Sequence, residues 1–137
     1  MKRRVRERLL PAIGAVALLL SVSACSSGAA ECEEAFAAAA TSVPGVVSAK
    51  WDCSEQFGGG WQRADVVIDA TSKEEAVAVM DEVLRAIAAA PDLEDTWSTP
   101  QEYWNEDRSV GVGPNELGFN GPPNVGEVRE HYGITPG

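Results

Sequence analysis

The sequence predicts a small two-layer α+β sandwich with elements in the order α-β-β-α-β, an antiparallel or mixed sheet covered by helices. Three observations carry that expectation. In residues 64–70, Ala64, Val66, Ile68 and Ala70 alternate with Asp65, Val67 and Asp69, which is the pattern of a half-buried strand. Directly after it, Ser72 and Glu75 form a Ser-x-x-Glu helix start. Ala76, Val77, Met80, Val83, Leu84 and Ile87 then fall on one side of a helix at about 100° per residue. Third, residues 31–53 read as an alanine-rich helix, a Pro44-Gly45 turn and a returning strand.

Each element has a local reason. Glu31, Glu33 and Glu34 place acids in the first turn of the first helix, where the helix dipole favours them. Its buried stripe is expected to be Cys32, Phe36, Ala39 or Ala40, and Val43. In the strand at 46–53, Val47, Ala49, Trp51 and Cys53 share one face, expected to point inward. Gly58, Gly59 and Gly60 supply a hairpin loop into the second strand. On the long helix, Glu74, Glu75, Asp81, Glu82 and Arg85 take the outer side, Asp81 and Arg85 at ion-pair spacing, and Pro91 stops the helix.

Beyond Pro91 the pattern weakens. Residues 92–107 are acidic, aromatic and broken by proline. Residues 108–113 are expected to form a third strand with Val110 and Val112 inward. A right-handed crossover through the long helix would set it parallel to the second strand and beside the first. Asn124-x-x-Glu127 caps a short last helix ending near Tyr132, with Gly133 as its stop. The element order is similar to half of a ferredoxin-like sandwich, an analogy of order alone.

The first 24 residues belong to a targeting segment rather than to the fold. Lys2, Arg3, Arg4, Arg6 and Arg8 precede an apolar run over residues 13–20, which has the length of a signal-peptide core and is too short to span a bilayer. Val22-Ser23-Ala24-Cys25 follows. This arrangement resembles the lipobox of bacterial lipoproteins, over about the first 25 residues only. The resemblance implies cleavage behind Ala24, a diacylglyceryl thioether on Cys25, and residence on the extracytoplasmic side of the cell membrane. Residues 25–30 would be a lipidated tether of at most ~20 Å, and residues 31–137 a single domain.

Five of the eleven basic residues and one of the twenty-one acids lie in residues 1–24, so the mature chain would keep six Lys and Arg against twenty Asp and Glu. So acidic a surface argues against nucleic acid, whose phosphates require cations. It also predicts repulsion from an anionic leaflet. With Cys25 taken by lipid, Cys32 and Cys53 remain as a pair in an oxidising setting. One sits at a helix start and the other at the end of the antiparallel strand, both in inward phase, which predicts a disulfide.

No cofactor or metal motif is present. Two cysteines and His131 fall short of a zinc site, and the acids at 92, 94, 95, 102, 106 and 107 lack calcium-loop spacing. Two classes of function follow. The favoured one is a lipid-anchored binding or accessory module of the bacterial envelope. Its partner, a protein, peptide or glycan, would dock on Trp97, Tyr103 and Trp104 with Glu102, Glu106 and Asp107 beside them. The competing account of those aromatics is a roof over the sheet. The alternative class is a small envelope hydrolase using carboxylates or His131, the only histidine.

Overall fold

The computed structural model of the protein describes residues 28–55 and 61–137. The leader, the Cys25 motif and the three glycines of the hairpin loop lie outside the described residues. The elements are α1 (Gly28–Thr41), β1 (Val46–Ser54), β2 (Trp61–Ile68), α2 (Lys73–Ala89), β3 (Tyr103–Trp104), β4 (Gly111–Val112), a 3-10 turn (Pro114–Leu117) and α3 (Val125–Tyr132). This is the α+β order expected, completed by a short fourth strand and a terminal helix. The four strands form one mixed sheet in the order β1-β2-β3-β4. The β1-β2 and β3-β4 pairs are antiparallel, while β2 and β3 are parallel.

One face of the sheet is covered and the other is open. Phe36 and Ala40 of α1, with Met80, Leu84 and Ile87 of α2, are fully buried against Val66 and Ile68 of β2 and Tyr103 of β3. Phe36 stacks flat on Trp51, centroids 5.2 Å apart. The opposite face carries Lys50, Asp52, Arg63 and Asp65, all exposed.

α1 begins at Gly28, so the last three residues of the expected tether are helical. Ala29 and Ala30 are strong helix formers that extend the first turn backward. At its other end Gly45, at φ 97°, makes the turn into β1. A Cβ there would also approach the Val79 side chain to 3.0 Å. Cys32 and Cys53 are bonded, with Cα atoms 6.3 Å apart, and lock α1 to the end of β1. The Glu33 carboxylate accepts the Cys53 N–H at the same place.

The inward phase expected for β1 holds for Trp51 and Cys53 but fails at Val47, which is 49% exposed. The β1-β2 register shifts between Val46 and Ser48, a bulge that leaves Val47 without an opposite residue. The extra residue reverses the facing of what precedes it. Val46, not Val47, packs against the core.

α2 starts as expected, with the Ser72 hydroxyl accepting the Glu75 N–H. The returning half of the motif is displaced by one residue, because the Glu75 carboxylate accepts the N–H and hydroxyl of Thr71. Those bonds from Thr71, backbone first, hold the Glu75 carboxyl below its ordinary value. Arg85 and Asp81 meet at 2.9 Å. α3 is capped by Asn124 on the Glu127 N–H and ended by Gly133 in the left-handed region.

The third strand departs from expectation. The segment parallel to β2 is Tyr103–Trp104, and it lies on the far side of β2 from β1. Of the expected strand at 108–113 only Gly111–Val112 is extended and paired, and it returns antiparallel on β3. Because β3 pairs with β2 directly, the unit lacks the intervening strand of a split βαβ arrangement.

Candidate functional site

β3 is only two residues long, and it meets β2 only at Val66 and Val67. The preceding half of β2, from Trp61 to Asp65, therefore has β1 on one side and no strand on the other among the described residues. Along that free edge runs a groove of about 540 Å³. Gln62, Ala64 and Asp65 form one wall, Ser98, Thr99 and Gln101 form the other, and Trp104 and Arg108 close one end.

The far wall is held rigidly. Ser98 bridges to Asn124, and the buried Thr99 donates both its N–H and its hydroxyl to the Pro123 carbonyl, at 3.0 and 2.6 Å. The Val125 N–H closes the same connection on the Trp97 carbonyl at 2.8 Å. Trp104 lies over Gly111, its cross-strand neighbour, so closely that a Cβ on Gly111 would fall 2.6 Å from the ring. The absent side chain is what lets the indole lie flat on the sheet. Its Nε1–H donates to Glu102 at 3.1 Å.

Arg108 closes the groove from a loop built around Asn105. The Asn105 amide donates to the Ala70 carbonyl and the Ser109 hydroxyl, and its oxygen accepts the Val110 N–H. The Arg108 N–H completes the turn on the Asn105 carbonyl. This places Arg108 at φ 61°, the one described non-glycine residue in the left-handed region. A side chain held there stores about 1–2 kcal/mol of backbone strain. From that position Arg108 reaches Asp65 at 3.0 Å and stands 5.9 Å from the Trp104 ring.

The open face continues the same mixture of charges. In the β1-β2 register Lys50 stands opposite Asp65, and Asp52 opposite Arg63. The six basic residues after Cys25 are Lys50, Arg63, Lys73, Arg85, Arg108 and Arg129. Three of them, Lys50, Arg63 and Arg108, belong to this face or its rim.

The structure divides the residues expected to form a docking surface. Trp97 is 5% exposed and Tyr103 fully buried, so both belong to the core and neither is available to a partner. Their segment is not a free loop: it bridges to the start of α3 and enters the sheet as β3, which turns Tyr103 toward the helices. Burial drives the Tyr103 hydroxyl far above its ordinary pKa, and it has no hydrogen-bond partner among the described residues. Trp104 is half-buried and, with Glu102, borders the groove. Glu106 and Asp107 line a separate recess of about 210 Å³ with Ile68, Ala70 and Asn105. Asp107 is occupied there, accepting from the Ser109 hydroxyl and N–H, which hold its carboxyl below the ordinary value.

His131 is exposed on α3, with its ring 4.3 Å from that of Phe119 and 4.8 Å from that of Tyr132. It lines neither the groove nor the recess at Glu106 and Asp107. Asp95 is engaged by Arg129 at 2.6 Å. Among the described residues no three His, Cys, Asp or Glu side chains come together as a metal site. No helix among them is long and apolar enough to cross a membrane.

Sequence reasoning missed the free edge of β2 and the groove residues Gln62, Ser98, Thr99, Gln101 and Arg108. Nothing local marks them, because the edge exists only through the shortness of β3. Compared with protein-family models, curated proteins and solved structures, the chain matches none.

Proposed function

We propose that the protein is a lipid-anchored, extracytoplasmic binding or accessory module of a bacterial envelope, and that its groove receives an extended polypeptide segment. The observation that carries the groove reading is the free edge of β2 from Trp61 to Asp65. On such an edge every second residue directs its N–H and C=O away from β1, a template for one further strand. The groove holds this edge in a walled site, with Trp104 at its end as an aromatic contact. Arg63, Arg108, Asp65 and Glu102 balance one another in sign, so affinity would come from main-chain pairing and the indole rather than from net charge. Arg108, held in a strained conformation at the mouth, supports a site with a purpose. The anchor reading rests on the Cys25 motif.

The test is crosslinking in the native membrane with a photoreactive side chain at Gln101, inside the groove, and at Glu82, on the outer side of α2. A polypeptide adduct at position 101 that disappears with Trp104→Ala, and none at 82, is the expected result. A carbohydrate adduct at 101 would replace the polypeptide by a glycan. Adducts at 82 alone would move the partner to the helical face and end the groove reading.

A further inference from the structure

Two large apolar side chains are exposed on the described surface, Val47 and Trp61, and they lie at opposite ends of the β1-β2 hairpin. Val47 is accounted for by its bulge. Trp61 is not accounted for: it is 38% exposed at the very start of β2, with the Arg63 guanidinium 5.3 Å from its ring. We infer that Trp61, with Arg63 beside it, is a second contact with the phospholipid interface, set against the bilayer by the anchor. The inference rests on the lipid-anchored reading of Cys25.

The position of the chain's entry argues for it. From Cys25 to Gly28 there are three Cα-to-Cα steps, which span at most ~11 Å. Gly28 lies against the Glu55 side chain, and the neighbouring Ser54 is in register with Trp61 on the adjacent strand. Neighbouring strands are about 5 Å apart. The anchored terminus therefore fixes the Trp61 end of the hairpin as the end nearest the bilayer. The groove runs away from that end, toward Asp65 and Trp104.

The chemistry of the pair fits a headgroup layer. An indole is favoured at the membrane–water interface, where its ring is partly dehydrated and its N–H remains wet. A guanidinium held against that ring can reach phosphate while its stem stays on apolar surface. The exposed acids at this end, Glu34 and Glu55, exclude a deep or flat approach of α1 to an anionic leaflet. They leave the strand face, where Asp52, the acid near Trp61, stands opposite Arg63 and is offset by it, as the side that can touch lipid.

The experiment uses the full lipidated protein reconstituted into vesicles of phosphatidylcholine, with plain or brominated acyl chains. Bromine quenches tryptophan only at short range. Trp51 and Trp97 are buried and Trp104 is half-buried at the far end of the groove, so Trp61 is the fluorophore exposed to lipid. Flotation of the protein with the vesicles is measured first. The expected result is weaker emission in brominated than in plain vesicles, a difference that Trp61→Phe abolishes and Trp104→Phe leaves intact. Equal emission in both vesicles from protein that floats would overturn the contact while leaving the anchor standing. Persistence of the difference in Trp61→Phe would place the contact elsewhere. Protein that does not float would refute the anchor, and the contact with it.

Discussion

Replacing Arg129 by methionine is expected to be among the most damaging single changes outside the apolar core. The last carbonyls of a helix have no partner within it, and at the end of α2 the Arg129 side chain supplies them. Its Nε donates to the Ala88 carbonyl at 3.0 Å. One terminal nitrogen donates to Ala90 at 2.6 Å and Leu93 at 2.8 Å, and the other meets Asp95 at 2.6 Å. The Arg129 side chain is 12% exposed and that of Asp95 is 70%, so the three carbonyls matter more than the ion pair. A hydrogen bond to a charged group contributes about 1.5–3 kcal/mol. Three such bonds from one guanidinium are not independent, and water can reach the turn at Ala90 and Leu93 once the side chain is gone. We therefore expect a loss of about 3 kcal/mol for Arg129→Met, a large part of the 5–15 kcal/mol typical of a domain. Arg129→Lys serves one carbonyl at a time and should lose about 2 kcal/mol. Asp95→Asn should lose less than about 1 kcal/mol, as an exposed partner does. Urea unfolding reads these differences directly, with a midpoint shift of about 1–3 M for the methionine variant. If Arg129→Met unfolds within about 0.5 kcal/mol of the parent, the carbonyls are served by water and the clamp does not hold α3 to α2. If Asp95→Asn costs as much as Arg129→Met, the ion pair carries the effect instead.

Three further outcomes are expected. Cys25→Ser should stop lipid labelling and release the protein from the membrane; an unmodified protein without lipid label that is retained equally well would contradict the anchor. Replacing Cys32 and Cys53 together by serine should lower stability by about 3 kcal/mol on the chain-entropy account of a loop of about twenty residues, again read by urea, and mass spectrometry of unreduced protein should find the two residues bonded. Burial opposes the charge of Asp81, but hydrogen bonds from Arg85 and Tyr132, with the Arg85 and His131 charges, outweigh it and hold the carboxyl below its ordinary value. A depressed carboxyl contributes stability that is present above the ordinary value and lost as pH falls through the folded one. Tyr132→Phe removes the 2.7 Å bond, so NMR titration should find Asp81 protonating at higher pH and acid unfolding beginning earlier. The partly exposed bond should be worth about 1 kcal/mol after screening.

What could be read from the sequence was what two periodicities agreed on. β2 and α2 were legible because alternation at residues 64–70 passes into a helical stripe through a capped start. The Cys32–Cys53 bond was legible because a helix phase and a strand phase independently turned both side chains inward. Val47 was not, since a bulge is a disagreement between two strands and no single strand displays it. Trp97 and Tyr103 follow the roof account rather than the docking account, and the sequence could not choose between the two for a related reason. A two-residue strand has no alternation, so nothing in residues 92–107 said which aromatic faces the core. Trp104 is half-buried, and the groove it borders arises from the mismatch in length between β2 and β3. The Arg129 clamp joins residues 34 to 41 positions apart and leaves no local trace.

The charge distribution ties together the proposed anchor, the proposed interfacial contact of Trp61 and the groove. Away from the open face the three remaining cations are each engaged with an acid: Lys73 with Glu116, Arg85 with Asp81, and Arg129 with Asp95. With twenty acids after Cys25, most of the surface is left strongly negative. Only the open face, with Lys50, Arg63 and Arg108 set among Asp52 and Asp65, is near balance. Electrostatic repulsion acts over a Debye length of about 8 Å at physiological ionic strength. That is comparable with the ~11 Å reach of the chain from Cys25 to Gly28. On the anchored reading, the exposed acids at that end of the domain, Glu34 and Glu55, would be held close to this range and pushed from an anionic leaflet. The orientation of least repulsion brings the Trp61 end of the open face down. On that proposal the free edge of β2 would rise from the lipid surface, with its groove open above it to an extended polypeptide segment.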